Sequence, residues 1–386
     1  MIKVDLSNTK IDVDGVDVSE AHKKLRDISA ENWNVWVETP NKITDAEIDR
    51  FLKTAEEIRK NFDVLFVVGS GGNYTSPFAA AQFLGSEFPI EYLVSFDPMT
   101  IERALKRWKG KRICVNLSSK SGTTLETYST FDTIKSFVKR TIMTLGEKYK
   151  KRDFTVFEGV GGRYSARDVM YLPLAVAGVD IKAMHEGARA AYKDLKSPYD
   201  NEAYKYAIAR YKLHTQVKKS VEFFASFYDG LEGFGRWWQP LFSESEGKDG
   251  KGLLPVPLLY SRDLHTMGQY VQQGNPIFFE TILNIAKPPV ESKLNLAAFK
   301  GTVKAHADAG VPVVIINIDR LDAYGFGYLF YFFEIACAMS AMLLGVNPFN
   351  QPGVEFYKKE MLDNPEIADY VKKLPMGSMT KTPKRS

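Results

Sequence analysis

The chain has 386 residues, of which 45% are hydrophobic and 25% charged, a composition typical of a globular protein long enough for two domains with separate cores. Its net charge of +4 is too small to indicate a nucleic-acid partner, although it does not oppose an anionic ligand. The two cysteines lie in apolar runs, which indicates a reducing compartment without a disulfide framework or a zinc site. Because the first ten residues contain no apolar signal segment, we expect a cytoplasmic protein.

Short runs of β-branched and aromatic residues alternate with helical patterns in the first half of the chain. The predicted strands are Val64–Val68, Tyr92–Phe96, Ile113–Leu117, Thr141–Leu145 and Phe154–Phe157, and the predicted helices include Ala79–Leu84, Thr100–Trp108 and Thr124–Val138. This spacing is typical of strand–helix–strand units around a parallel sheet. We therefore predict an α/β fold with a doubly wound parallel sheet.

The second half follows the same pattern less regularly. Its predicted strands, Val256–Tyr260, Ile277–Thr281 and Val313–Ile318, indicate a second doubly wound α/β domain. The apolar segment Tyr328–Leu344 is shorter than the roughly 20 residues of a membrane span and contains Glu334, so we predict a buried core helix and no membrane association. The predicted divisions are an N-terminal extension 1–45, a first domain 46–190, a second domain 191–360 and a C-terminal tail 361–386, whose basic end Lys381–Ser386 is expected to fray.

A glycine-rich loop follows the predicted strand Val64–Val68, at the strand end where open parallel sheets bind their ligands. A dinucleotide fingerprint would need a third glycine at Tyr74, and the Gly-Lys-Ser/Thr sequence of a P-loop is absent. The bare backbone of Gly71 and Gly72 is therefore predicted to admit a small ligand, with a simple packing turn as the alternative.

A second loop, which follows the predicted strand Ile113–Leu117, is rich in hydroxyl groups. It carries one lysine, Lys120, one glycine, Gly122, and five hydroxyl side chains, Ser118, Ser119, Ser121, Thr123 and Thr124. A helix predicted to begin near Thr124 directs its free N–H groups and positive dipole end to the same place. The loop is therefore predicted to hold a phosphate, with an ordinary capped helix start as the alternative.

Six motifs occur along the chain in an order that matches one known family. They are GSGGNYTSP, SSKSGTTLET, GVGGRYS, ESEGKDGKG, LHTMGQYVQQG and NPFNQPGVEFYKK. From about residue 60 to about residue 360 the chain resembles the phosphoglucose isomerases. The resemblance implies two sugar-isomerase (SIS) domains, a helical C-terminal segment, and reversible isomerisation of glucose 6-phosphate to fructose 6-phosphate through a cis-enediol.

The resemblance also implies roles for individual residues. The implied catalytic residues are the base Glu244, the enediolate-stabilising Arg163, and the ring-opening pair His265 and Lys358. The implied phosphate ligands are Ser119, Lys120, Ser121 and Thr124, and the implied sugar-binding residues are Gly71, Gly72, Asn73 and Gln351. The reaction moves a proton between adjacent carbons, which needs a base, a cation and an acid, and we expect no cofactor and no metal ion.

The residues by themselves leave several of these assignments open. Glu246 lies two residues after Glu244, and Lys359 is adjacent to Lys358. Without the resemblance, Arg163 is more typical of a structural salt bridge than of a catalytic residue, and a lone histidine such as His265 is more often a satisfied polar residue than a catalyst. These four roles therefore depend on the resemblance, which further implies a homodimer with His265 supplied across the interface.

Two departures from the family pattern affect the prediction. Asn73 stands where serine is usual, and Asn350 stands where aspartate is common. A bifunctional phosphoglucose/phosphomannose isomerase is one alternative, and a non-catalytic sugar-phosphate sensor is another, although a sensor would be expected to lose the base. A metal-dependent isomerase would need clustered ligands, which five scattered histidines do not supply.

Overall fold

A computed structural model describes residues 1–122 and 124–373 of the chain. The strands are β1 Ile2–Asn8, β2 Val64–Val68, β3 Ile90–Leu93, β4 Ile113–Ser119, β5 Val138–Gly146, β6 Phe154–Val156, β7 Val221–Ser226, β8 Leu254–Leu259, β9 Phe278–Ile285 and β10 Val313–Ile318. The helices are α1 Ser19–Arg26, α2 Thr39–Lys42, α3 Asp45–Asn61, α4 Gly72–Leu84, α5 Pro98–Arg107, α6 Leu125–Ile134, α7 Ala166–Ala177, α8 Ile181–Asp194, α9 Glu202–Thr215, α10 Glu232–Glu246, α11 Leu264–Gln273, α12 Lys293–Asp308, α13 Ala323–Leu343, α14 Pro352–Asp363 and α15 Pro365–Lys373. Thr123 and the basic end Lys381–Ser386 lie outside the described residues.

The first sheet is fully parallel, with the strand order β3-β2-β4-β5-β6. Every residue of β2 is buried, because helices cover both faces of the sheet and leave no face for polar side chains. Val64, Phe66 and Val68 pack with residues of α5 and α6, whereas Leu65 and Val67 belong to the core on the opposite face. The prediction of a doubly wound parallel sheet is confirmed.

The second sheet has the order β1-β10-β9-β7-β8, in which only β1 is antiparallel to its neighbour among the described strands. Strand β7 was not predicted from the sequence, because Glu222 interrupts its apolar run. Glu222 is fully buried and accepts hydrogen bonds from Arg210 Nε at 2.7 Å and Thr281 Oγ1 at 2.6 Å. The buried charge of Glu222 is thus tolerated in β7, because Arg210 of helix α9 neutralises it.

The two sheets share one topology. In the first sheet the strands β3-β2-β4-β5 lie side by side, and in the second sheet β8-β7-β9-β10 do so. If β2 and β7 are each numbered as strand 1, both sets have the order 2-1-3-4. The N-terminal strand β1 extends the second sheet beyond β10, at the edge that corresponds to β6 in the first sheet. The N-terminal segment, which carries no recognisable motif, therefore completes a sheet whose other strands lie more than 200 residues later. The four domain divisions themselves stay predictions.

One large hydrophobic core lies between the two sheets. It includes Val67 of β2, Phe224 of β7 and most of α13, which packs against α8, α9 and α10. Among the described helices, α13 alone is long and apolar enough to cross a membrane, but 89% of its most apolar window is buried inside the protein. The prediction of a buried core helix is confirmed.

The C-terminal helices α14 and α15 lie against the first sheet. Met361, Ile367, Tyr370 and Val371 pack on the cluster formed by β2, β4, α5 and α6. This observation confirms the helical C-terminal segment. The predicted helix Thr124–Val138 was too long, because α6 ends at Ile134 and β5 begins at Val138, the first residue of a β-branched stretch that pairs with β4.

Candidate active site

The glycine loop and the hydroxyl loop lie side by side at the carboxyl ends of two paired strands. The first follows β2 and the second follows β4, and these strands form the switch point of the first sheet. Each loop leads into the N-terminus of a helix, α4 or α6, whose free N–H groups favour an anion. The fold therefore places both predicted loops in one crevice.

The hydroxyl groups of the second loop form a compact cluster. The Thr124 hydroxyl lies 3.4 Å from both the Ser119 and the Ser121 hydroxyls, and the Gly122 N–H donates to Ser119 Oγ at 3.1 Å. Thr124 is the N-cap residue of α6, yet its side chain makes no capping hydrogen bond. Three hydroxyls and a helix N-terminus consequently converge in a way that suits a phosphate group.

The Lys120 side chain points away from this cluster. Its ammonium donates a hydrogen bond to the Val160 carbonyl oxygen and lies 4.0 Å from the centre of the Trp33 ring. Burial lowers the pKa of Lys120 to about 8, and the carboxylates of Glu158 and Asp168 offset that effect only in part. The structure thus joins Lys120 to the segment that precedes Arg163.

Arg163 is the centre of a second polar cluster. Its guanidinium is buried, donates to Glu244 Oε2 at 2.9 Å, to Ser245 Oγ at 3.2 Å and to the Pro348 carbonyl oxygen at 2.8 Å, and also contacts Gln351 Oε1. It also donates to the Asn350 carbonyl oxygen at 3.3 Å. One arginine therefore joins α10, the segment before α14 and its own turn.

The glycine loop approaches the arginine turn closely. A Cβ atom at Gly72 would lie 2.5 Å from the Gly162 carbonyl oxygen, so only glycine fits at this position. Gly71, the N-cap residue of α4, has a φ of +58°, which also favours glycine. The two glycines bring the glycine loop and Arg163 together. Asn73 follows them, and its side chain is partly exposed.

The two neighbouring glutamates of α10 have different environments. The Glu244 side chain is 37% exposed, and only its Oε2 has a hydrogen-bond partner among the described residues, Arg163. Glu246 is fully buried and forms a bidentate ion pair with Arg210, which also binds Glu222. Glu244 thus keeps one carboxylate oxygen available for proton transfer, whereas both oxygens of Glu246 are occupied.

His265 and Lys358 do not join this cluster within the described chain. His265 is exposed on α11, and its ring makes no hydrogen bond or ion pair with residues 1–122 or 124–373. Lys358 is 45% exposed on α14 and pairs with Glu355 at 3.2 Å. The adjacent Lys359 pairs instead with Asp363 at 3.0 Å.

Lys248, which was not predicted from the sequence, lies beside this cluster. Its ammonium donates to the Glu244 carbonyl oxygen and to the Asn350 carbonyl oxygen, both at 2.8 Å. Burial, with a smaller effect of the neighbouring Arg163, lowers the pKa of Lys248 to about 8. Its place four residues after Glu244, within the motif ESEGK, was the available signal. Groups of three or more metal-ligating side chains are not found in the described part of the chain.

Two solved structures with the same architecture are phosphosugar isomerases. A glucose-6-phosphate isomerase from Chlamydia trachomatis D/UW-3/Cx superposes with a TM-score of 0.80 at 18% identity, covering 98% of this chain and 90% of that one. A tagatose-6-phosphate ketose/aldose isomerase from Escherichia coli superposes with a TM-score of 0.57 at 12% identity, covering 87% and 97%. The fold is therefore that of the SIS-type phosphosugar isomerases.

Sequence comparison narrows this class to one family. No protein-family model matches the chain. A curated glucose-6-phosphate isomerase from Acholeplasma laidlawii (strain PG-8A), however, is 38% identical over 89% of this chain and 93% of its own length. The chain belongs to the glucose-6-phosphate isomerase family and is an enzyme with isomerase function.

Proposed function

We propose that the chain interconverts glucose 6-phosphate and fructose 6-phosphate by acid/base catalysis without a metal ion. The observation that carries this proposal is the ion pair between buried Arg163 and half-exposed Glu244 at 2.9 Å. A carboxylate with one anchored oxygen and one free oxygen suits a base that moves a proton between adjacent carbons. The guanidinium beside it suits the negative charge that develops on the enediolate oxygens.

The substrate phosphate binds to the hydroxyl loop in this proposal. Support comes from the Thr124 hydroxyl, which lies 3.4 Å from both the Ser119 and the Ser121 hydroxyls at the N-terminus of α6. Lys120 of the same loop adds a positive charge without contacting the phosphate, because its ammonium is held on the Val160 carbonyl oxygen. The backbone of Gly71 and Gly72, with Asn73 and Gln351, contacts the sugar. Each charge-assisted hydrogen bond contributes about 1.5–3 kcal/mol, so a few of them suffice to fix a phosphosugar.

We further propose that the protein works as a homodimer in the cytoplasm, with His265 of each subunit opening the sugar ring in the other subunit's site. The surface around His265 supports this proposal. Val271 is the only buried residue of α11, and apolar side chains stand exposed nearby on α11, on α12 and before it, namely Tyr270, Val290, Leu294 and Leu296. A second copy would cover such a surface. Lys358 assists ring opening in this proposal.

A coupled assay tests the proposed reaction. Purified protein in excess EDTA should convert fructose 6-phosphate to glucose 6-phosphate, with glucose-6-phosphate dehydrogenase as the coupling enzyme. A parallel reaction with mannose 6-phosphate decides whether the second sugar carbon is discriminated. Loss of turnover in EDTA, restored by a divalent cation, would contradict the metal-free mechanism.

A further inference from the structure

Trp33 occupies an unusual position beside the hydroxyl loop, the proposed phosphate loop. It is 46% exposed, although it is a tryptophan, and its φ of +55° lies in the left-handed region that bulky residues avoid. Such a conformation costs on the order of 1–3 kcal/mol and persists where the surroundings enforce it. Core burial does not explain this residue, because nearly half of it faces solvent.

The indole ring of Trp33 makes a cation–π contact with Lys120. The Lys120 ammonium lies 4.0 Å from the centre of the indole ring and donates a hydrogen bond to the Val160 carbonyl oxygen. The indole face is the best of the aromatic faces for a cation, and the partial burial of this ammonium strengthens the attraction. Lys120 is thereby held between the N-terminal segment and the turn that precedes Arg163.

The N-terminal segment around Trp33 is firmly attached to that turn. Asn34 and Val160 form an isolated antiparallel β-bridge, and the Val35 N–H donates to the Gly159 carbonyl oxygen at 3.1 Å. Gly159 has a φ of +69°, and a Cβ there would lie 2.5 Å from Ala30 Cα, so only glycine allows this approach. The segment is therefore joined to the arginine turn through the backbone, and Lys120 of the hydroxyl loop contacts both of them.

The segment is also braced from behind. Asn34 is fully buried, its Nδ2 donates to the Asp27 carbonyl oxygen at 2.8 Å, and its Oδ1 accepts from the Ser29 N–H at 2.9 Å. Trp36, three residues after Trp33, is stacked on Tyr164 with ring centres 4.6 Å apart. Contacts of Asn34 and Trp36, which follow Trp33 in the chain, thus fix its position relative to Arg163.

We propose that Trp33 is a positioning residue. It holds the Lys120 ammonium on the Val160 carbonyl oxygen and so keeps the phosphate loop at a fixed distance from Arg163 and Glu244. A substrate bound by its phosphate then presents its reacting carbons to the base at the correct distance, and such alignment governs the rate of the chemical step. This inference rests on the proposed function, in which the phosphate loop anchors the substrate and the cluster of Arg163 and Glu244 carries out the reaction.

The kinetic test compares substrate turnover with the binding of phosphate alone. Trp33→Ala should lower kcat for fructose 6-phosphate by about 2- to 30-fold, the range that a cation–π contact supports. The inhibition constant of inorganic phosphate should change less than twofold, because phosphate occupies only one of the two linked regions. Trp33→Phe should restore most of kcat, and Tyr199→Ala, which removes an aromatic side chain 80% exposed elsewhere, should have no effect.

A double-mutant cycle identifies the route of the effect. In a Lys120→Met background, the further change Trp33→Ala should cost less than twofold in kcat, because the ammonium that Trp33 holds is gone. A Trp33 effect that persists undiminished in this background would overturn the proposal. An equal weakening of phosphate inhibition and kcat by Trp33→Ala would also overturn it, since Lys120 would then act directly on the phosphate.

Hydrogen exchange tests the link without turnover. In the ligand-free protein, Trp33→Ala and Lys120→Met should both accelerate amide exchange in peptides spanning residues 113–125 and 157–165, whereas Tyr199→Ala should not. Unchanged exchange in both segments would overturn the proposed link. If the wild-type protein fails to isomerise fructose 6-phosphate but the exchange pattern is as expected, the proposed function fails and the link stands.

Discussion

At the scale of single residues, burial separates side chains that the sequence leaves equivalent. Glu244 and Glu246 lie two positions apart in one motif, and a 3.6-residue helical repeat turns them toward different surroundings. Glu246 faces the core and is neutralised by Arg210, whereas Glu244 faces the crevice with one oxygen free. The helix end therefore separates a structural carboxylate from the proposed base.

Replacing the proposed base should abolish catalysis without unfolding the protein. In Glu244→Gln the amide retains the shape of the side chain but no longer accepts the substrate proton. We expect kcat for fructose 6-phosphate to fall by at least roughly 10³-fold, with phosphosugar binding retained. Steady-state kinetics together with calorimetric binding of the substrate would measure both effects.

Glu246→Gln and Glu232→Gln are the matched controls on the same helix. Glu246→Gln breaks part of a buried ion pair and should lower the free energy of unfolding by about 2–4 kcal/mol, with kcat within tenfold of wild type. Glu232→Gln, at the partly exposed start of α10, should change neither quantity. Wild-type activity in Glu244→Gln would show that Glu244 is not the base. Loss of turnover in properly folded Glu246→Gln would point to Glu246 instead.

The hydroxyl cluster should act on substrate binding more than on turnover. Its contacts with the phosphate are shared by the ground and transition states, so removing them raises KM and leaves kcat nearly unchanged. The double variant Ser119→Ala with Thr124→Ala should weaken fructose 6-phosphate binding by about 2–4 kcal/mol, whereas an inhibitor without a phosphate should lose little. Equal weakening of both ligands would indicate that the cluster only supports the loop.

At the scale of elements, helix α7 carries a buried carboxyl group behind the phosphate loop. Asp168 is almost fully buried and accepts the Phe157 N–H at 3.2 Å, while its Oδ1 has no hydrogen-bond partner among the described residues. Burial raises the pKa of Asp168 from 3.8 to about 7, although Arg167 and Lys120 oppose this change. The folded protein therefore keeps this proton at pH values where the unfolded chain has lost it.

This carboxyl group should make stability depend on pH. Between pH 3.8 and about 7 the folded state binds more protons at Asp168, so its contribution to stability is lost as the pH rises. Asp168→Asn cannot titrate, and its free energy of unfolding relative to wild type should increase by on the order of 2 kcal/mol from pH 5 to pH 8. Denaturant titrations at both pH values would measure this change, and a pH-independent difference would contradict it.

At the scale of the whole molecule, the proposed ring-opening histidine does not join the candidate site within the described part of one chain. Arg163, Glu244, Gln351 and the phosphate loop belong to connected segments, whereas His265 stands exposed on α11. The exposed apolar side chains near it are the surface that a second subunit would cover. The proposed supply of His265 in trans would account for both features.

Subunit exchange tests this arrangement. Glu244→Gln and His265→Ala are each expected to be inactive, but in their mixed dimer one site carries both lesions and the other carries none. After random remixing, about half of the dimers are mixed and about one quarter of all sites should be intact. Exchange would be confirmed by native mass spectrometry, and an absence of recovered activity would place His265 in the site of its own chain.

Much of the fold was predictable because local patterns carried it. The apolar runs of β2 and β4 and the loops that follow them are set by neighbouring residues, so both sheets' general class and the crevice could be inferred in advance. The central strand β7 was not, because the charge of Glu222 is neutralised by Arg210, twelve residues away in sequence on another element. Strand β1 was not, because its partner β10 lies at the other end of the chain.

The sequence by itself determined the family, the hydroxyl loop that we propose as the phosphate site, and the set of candidate catalytic residues, since ordered motifs of adjacent residues carry all three. Only the tertiary structure decided which glutamate of ESEGK is free, that Arg163 meets Gln351, and that Trp33 covers Lys120. These outcomes depend on burial and on contacts between residues 36 to 188 positions apart, which no local pattern encodes. Long-range packing therefore turned a list of polar residues into one site.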